Sequence, residues 1–122
     1  IDYGEPVTTK GLNMLYGPGN DLVSATALTA AGAHMVLFST GRGTPFGAPA
    51  PTLKIATNSQ LAARKKTWID FNAGVVADGE RTLDEAGADL YRLVLDVASG
   101  KQTCAEKKGF REISIFKDGV VL

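Results

Sequence analysis

Cysteine, histidine and tryptophan each occur once in this chain, as Cys104, His34 and Trp68. A single cysteine excludes an internal disulfide, and a reducing, cytoplasmic compartment is the natural setting for such a chain. A single histidine, with no second His or Cys at ligand spacing, excludes a self-contained zinc-type site. It also leaves too few partners for a Ser-His-Asp hydrolase. Charge of one sign is lacking too: Lys plus Arg number 13, Asp plus Glu number 13, and the net charge is zero. Nucleic acid and anionic membrane surfaces both call for a basic excess, so neither is an expected partner. The charges are scattered, which excludes a charged tail. No apolar run approaches the ~18 residues of a membrane span, and there is no signal peptide.

Internal repeats and long linkers are also missing, so the 122 residues read as one domain. That length buries a core without disulfide or metal staples. The apolar share of 44% and the charged share of 21% are those of an ordinary globular domain. The chain opens at Ile1-Asp2-Tyr3-Gly4 with no Met, which reads as a piece of a longer polypeptide, a trimmed tag being the alternative.

Residues up to Gly19 are rich in Gly and Pro and predict irregular structure. Asn20 or Asp21 can cap a helix over Leu22 to Ala31, small on nearly every side and ended by Gly32. Met35 to Phe38 is a continuous apolar run that predicts a strand buried on both faces. A loop from Ser39 to Pro51 follows, and Leu53 to Ala56 predicts a second strand. Asn58 or Ser59 can cap a short helix over Gln60 to Arg64, and Thr67 to Phe71 predicts a third strand. Thr82-Leu83-Asp84-Glu85 is a capping box. Leu83, Ala86, Leu90, Leu93, Val94 and Val97 then recur at helical spacing up to Gly100. Ile113, Ile115 and Phe116 predict a last β-like segment, closed by Asp118-Gly119. Alternating strands and helices imply an α/β layered fold with a mainly parallel sheet and helices on both faces.

Ligands of such sheets bind in loops beyond the carboxyl ends of the strands. The loop Ser39-Thr40-Gly41-Arg42-Gly43-Thr44-Pro45-Phe46-Gly47 has that placement. Gly41 and Gly43 free the backbone to turn amides toward an anion, Arg42 adds a planar fork for a carboxylate or phosphate, and Thr40 and Thr44 add hydroxyls. The plainer alternative is a tight connection with Arg42 paired to a structural carboxylate. The spacing is neither a dinucleotide fingerprint, since Gly47 follows Gly43 directly as the next glycine, nor a Walker loop. A nucleotide-binding domain is therefore disfavoured. Asp70 and Asn72, two apart at a strand end, face the same side. Asp70 can serve as base, metal ligand or orienter of Arg42. Asn72 can bind a hydroxyl or cap the next turn. His34 and Trp68 read as core or edge residues, and Cys104, despite Lys101, Lys107 and Lys108 nearby, reads as an incidental part of a polar connector.

The runs Leu37 to Gly47, Pro51-Thr52-Leu53-Lys54-Ile55-Ala56-Thr57-Asn58-Ser59, Trp68-Ile69-Asp70-Phe71-Asn72-Ala73-Gly74 and Val97-Ala98-Ser99-Gly100-Lys101 resemble the C-terminal domain of the altronate/galactarate dehydratase family. The resemblance spans nearly the whole chain, and the third run together with Glu112 to Lys117 is most similar to the altronate branch. His34 departs from that branch. The resemblance implies a Rossmann-like unit of a longer enzyme, with an N-terminal SAF-type domain and a middle region as partners in the same polypeptide. It implies dehydration of an aldonic or aldaric acid, with altronate giving 2-dehydro-3-deoxy-gluconate, and a divalent metal, iron(II) for altronate. Galactarate dehydratases, sulfolactate-splitting members and a non-catalytic docking role are the alternatives it carries. The expected binding residues are Thr40, Gly41, Arg42, Gly43, Thr44, Asp70 and Asn72. No base or set of metal ligands is legible, and the oligomeric state is open between monomer and homo-oligomer.

Overall fold

The computed structural model describes residues 1–115. The chain reaches its first regular element only at helix α1, Asp21–Ala30, after an irregular start. Asn20 caps it, its side-chain oxygen accepting from the amides of Leu22 and Val23 at 3.2 Å each. Val23, Ala25 and Ala27 are buried while Leu28 stays 40% exposed. The helix is thus covered on one side rather than on both, and Gly32 ends it at φ +113°.

Strands β1, Val36–Thr40, and β2, Thr52–Ala56, pair in parallel, and the two-residue β3, Phe71–Asn72, joins β2 on its other edge, also in parallel. The result is an open three-stranded parallel sheet in a mixed α/β fold. The central strand is the one covered on both faces. Thr52, Lys54 and Ala56 on one side and Leu53 on the other are all buried. Edge strand β1 does not meet the two-sided expectation: Val36 is buried, but Leu37 is 52% exposed. Val36 and Ala25 of α1 join Phe46 and Ala48 in one apolar cluster, with Leu22 and Phe38 against it.

Helix α2, Ser59–Arg64, follows β2 and is capped by Asn58, which accepts from the Leu61 amide at 2.8 Å. The third strand is shorter and later than Thr67 to Phe71. The amides of Trp68 and Ile69 both donate back to the Lys65 carbonyl, at 2.9 and 3.2 Å, so those residues close a turn below α2. Two short helices escaped the sequence reading: α3, Gly74–Ala77, and α5, Cys104–Lys107. Between them α4, Leu83–Ala98, carries the expected capping box and buries Ala86 and Val97. Residues 111–115 form no strand. Instead Glu112 clips Gly47 in both directions, donating to its carbonyl at 2.7 Å and accepting its amide at 2.8 Å. Phe116 and Asp118-Gly119 lie outside the described residues.

The order of the strand ends depends on one close approach. A Cβ on Gly74 would fall 2.3 Å from the Ser59 nitrogen and 2.5 Å from the Asn58 carbonyl carbon, so the start of α3 rests directly on the cap of α2. Backbone cannot yield as a side chain does. Gly74→Ala is expected to cost about 3 kcal/mol or more in urea unfolding. Gly87→Ala is the control. Gly87 is in the interior of α4 with nothing within 4 Å of its would-be Cβ, and the change should stabilise by roughly 0.5–1 kcal/mol.

Candidate functional site

Because all three strands run parallel, their carboxyl ends share one edge of the sheet, and the loops leaving them meet there. Hydrogen bonds stitch these exits together. The Thr57 amide donates to the Thr40 carbonyl at 3.0 Å, Asn58 Nδ2 to the Gly41 carbonyl at 3.1 Å, and Asn72 Nδ2 to Ser59 Oγ at 2.9 Å. Ser59 Oγ in turn donates to Asp78. The turn after β1 closes on itself as Thr40 Oγ1 accepts the Gly43 amide at 2.9 Å. Gly43 takes φ +82°, and α2 crowds it: a Cβ there would sit 3.1 Å from Leu61 Cδ1 and 3.3 Å from the side chain of Lys65.

Between this turn and α2 opens a cleft of ≈ 250 Å³, lined by Gly41, Arg42, Asn58, Gln60, Leu61, Arg64 and Lys65. Three of the lining residues are cations, and none is a carboxylate. Arg42 and Arg64 are exposed and have no ion-pair partner among the described residues. The Lys65 ammonium lies 4.0 Å from the centre of the Trp68 ring and 3.8 Å from where a Cβ on Gly43 would stand. A cleft of this make-up suits an oxyanion, with the side-chain amide of Gln60 available to a hydroxyl group.

The expected residues divide between three tasks. Gly41 and Arg42 line the cleft. Thr40 and Gly43 shape its turn, and the Gly43 amide, bonded to Thr40, does not point outward as an anion cradle would require. Thr44, Asp70 and Asn72 serve the scaffold. Asn72 accepts the Gly74 amide at 3.0 Å and so forms the turn that leads into α3, whose own N-cap, Ala73, has no side-chain cap. Asp70 spends both carboxylate oxygens on backbone, accepting from the Lys54 amide at 2.8 Å and the Cys104 amide at 2.7 Å. Its partner is therefore not Arg42. His34 is exposed, in the turn before β1.

Lys54 was missed altogether. It is 1% exposed, its ammonium donates to the Thr44 carbonyl, and the charge lies 5.3 Å from the centre of the Phe46 ring. It thereby ties the far half of the loop to the central strand. The available signal was a lysine inside Leu53 to Ala56, a run that otherwise reads as buried. The cleft residues of α2 were missed as well, although Gln60 and Arg64 share a helix face at i, i+4.

Burial holds the Lys54 ammonium below its ordinary value, with Asp70, Glu112 and Cys104 opposing that effect and Lys108 adding to it. Burial, then Asp70, pushes the Cys104 thiol up, outweighing Lys107 and Lys108. The neighbouring lysines therefore do not activate this thiol.

For Lys54 the unfolded chain binds the extra proton in the window between the depressed folded value and the ordinary one. Its contribution to stability therefore rises with pH through that window. Lys54→Met should lose this slope, so the advantage of wild type over variant grows as the pH rises toward the ordinary lysine value of 10.5 in urea titrations. A gap independent of pH would refute it. Asp70→Asn leaves one backbone amide without its acceptor and should cost about 2 kcal/mol at neutral pH.

No helix among the described residues is long and apolar enough to cross a membrane. Residues 1–121 match the family model described as D-galactarate/Altronate dehydratase, C-terminal. The whole chain is 55% identical to an altronate dehydratase of Escherichia coli (strain K12) and 48% identical to an altronate dehydratase of Bacillus subtilis (strain 168), and spans 24% of each. Over 97% of its length it is 40% identical to the galactarate dehydratase (L-threo-forming) of Escherichia coli (strain K12), of which it spans 23%. The chain thus covers about a quarter of the length of these relatives, and it belongs to the family of C-terminal domains of the D-galactarate and altronate dehydratases.

Proposed function

We propose that this chain is the C-terminal domain of a cytoplasmic hydro-lyase that removes water from D-altronate to give 2-dehydro-3-deoxy-D-gluconate. The identity to altronate dehydratases exceeds that to the galactarate enzyme, which favours an aldonate over an aldarate. The observation that carries the reading is the cleft at the strand ends, where Arg42 stands without an ion-pair partner among the described residues.

Dehydration of this kind removes the proton beside the carboxylate and expels the β-hydroxyl as water. Negative charge builds on the carboxylate as the C–H bond breaks. A guanidinium fixed beside it favours that state over the ground state. Arg42 leaves a turn held by Thr40, Asn58 and Lys54, so its backbone is set before the ligand arrives. A divalent metal, iron(II), belongs to this proposal. The described residues include no group of three or more His, Cys, Asp or Glu side chains suited to a metal ion, so they do not fit a metal centre of their own. The general base is also absent from the cleft lining. Both are assigned to the remaining three quarters of the polypeptide, the SAF-type and middle regions, and the domain alone is expected to be inactive.

Arg42→Lys keeps the charge and loses the fork. In the natural full-length polypeptide it should lower kcat/KM for altronate at least about tenfold, with Arg42→Ala lower still. Thermal stability should stay within about 0.5 kcal/mol of wild type, since Arg42 is exposed. Full activity in both variants would remove the site from this loop, and a folding defect in Arg42→Lys would make the residue structural.

A further inference from the structure

Arg64 has the same standing as Arg42: it lines the same ≈ 250 Å³ cleft, it is exposed, and no described residue forms an ion pair with it. As the last residue of α2 it could be explained by the helix dipole, which favours a cation at that end. That explanation sets the sign of the charge but not its direction. The direction comes from spacing. Gln60 and Arg64 are four apart on one helix face, and both reach the cleft; Leu61 and Lys65, the adjacent i, i+4 pair, reach it too. Leu61 and Lys65 are also the residues nearest to where a side chain on Gly43 would stand, so α2 lies against the turn that carries Arg42. Asn58, the cap of α2, is bonded to the Gly41 carbonyl, which fixes the near end of α2 to that turn. The two guanidinium groups thus come from two elements joined at their base.

We propose that Arg64 is the second arm of the carboxylate site: the carboxylate of the sugar acid is held between Arg42 from the β1 loop and Arg64 from α2, with Gln60 beside Arg64 to take a hydroxyl of the acid. This rests on the reading of the cleft as the sugar-acid site. Lys65 is not an arm of the clamp, because its ammonium is already occupied over Trp68. Like charges brought to one cleft repel each other when it is empty, and a carboxylate between them relieves that repulsion. The pair therefore selects for an anionic end group over a neutral aldose of the same size.

The test is a double-mutant cycle read by titration calorimetry with D-altronate on the natural full-length polypeptide, stripped of divalent metal so that the acid binds without turning over, using Arg42→Met, Arg64→Met, both together, and Arg64→Lys. Arg64→Met should weaken binding about tenfold, the scale of one charge-assisted contact. Arg64→Lys should recover only part of that loss. The double variant should lose less than the product of the two single losses, because both arms hold one group. Wild-type affinity in Arg64→Met, with Arg42→Met weakened, overturns the second arm and leaves the cleft reading standing. Single losses that multiply, together with full recovery by Arg64→Lys, reduce Arg64 to diffuse positive charge and also overturn it. Wild-type affinity in both single variants removes the cleft reading itself. Should Arg64→Met fail to fold, full affinity in Arg64→Lys overturns the proposal and partial affinity supports it.

Discussion

The carboxylate of Asp70 is the junction on which the arrangement of this domain depends. It accepts the backbone amide of Lys54 in the middle of the central strand and that of Cys104 at the start of α5, while its own amide donates to the Lys54 carbonyl at 2.9 Å. One side chain therefore aligns the segment entering β3 with β2 and pins the start of α5, 34 residues further along the chain. A carboxylate accepting backbone amides is among the stronger hydrogen-bonding arrangements available to a protein. It also puts a negative group close to the buried ammonium of Lys54, which itself holds the loop after β1. The chain of support thus runs from Asp70 through the central strand to the turn that presents Arg42.

That chain explains why Asp70 looked like a site residue from sequence and serves the scaffold in the structure. A carboxylate at a strand end, two residues from an asparagine, has the same appearance in sequence whether it meets a substrate or a backbone amide. Only the position of Thr103 and Cys104, more than thirty residues away, decides between them. The elements written in local chemistry were legible: Asn20 and Asn58 as caps, the Thr82 and Glu85 box, the glycine stop after α1. Thr103 and Glu106 form a second box of the same pattern, and its three-residue spacing marks α5 as plainly as the first marks α4. It went unread because the helix it starts is one turn long and has no apolar period.

Other features lay beyond local reading for a physical reason. Strand propensity in Thr67 to Phe71 lost to the turn that closes on the Lys65 carbonyl. Two-sided burial was assigned to the apolar run of β1, but sheet order put β2 in the centre, and β2 contains a threonine and a lysine. Each polar atom there has a partner: Thr52 Oγ1 accepts the Ala48 amide at 2.9 Å and donates to the Ala50 carbonyl at 3.0 Å. A strand whose polar groups are satisfied by the adjoining loop can occupy the core, and hydropathy alone does not reveal it. The cleft was half legible. Its β1 side announced itself by glycine and arginine, whereas its α2 side consists of residues common on any solvent-facing helix.

The sequestration of Lys54 has a consequence for the chemistry of the chain's amines. Every other described lysine is exposed or partly so, and only the ammonium of Lys54 lies beneath a loop and an aromatic ring. An acylating reagent in the solvent meets the outer amines directly but meets Lys54 only while the loop is lifted from the sheet. The rate at which this one nitrogen is tagged therefore counts openings of the structure rather than collisions with its surface. The residue that ties the loop down is in this way also a clock for how often the tie is released.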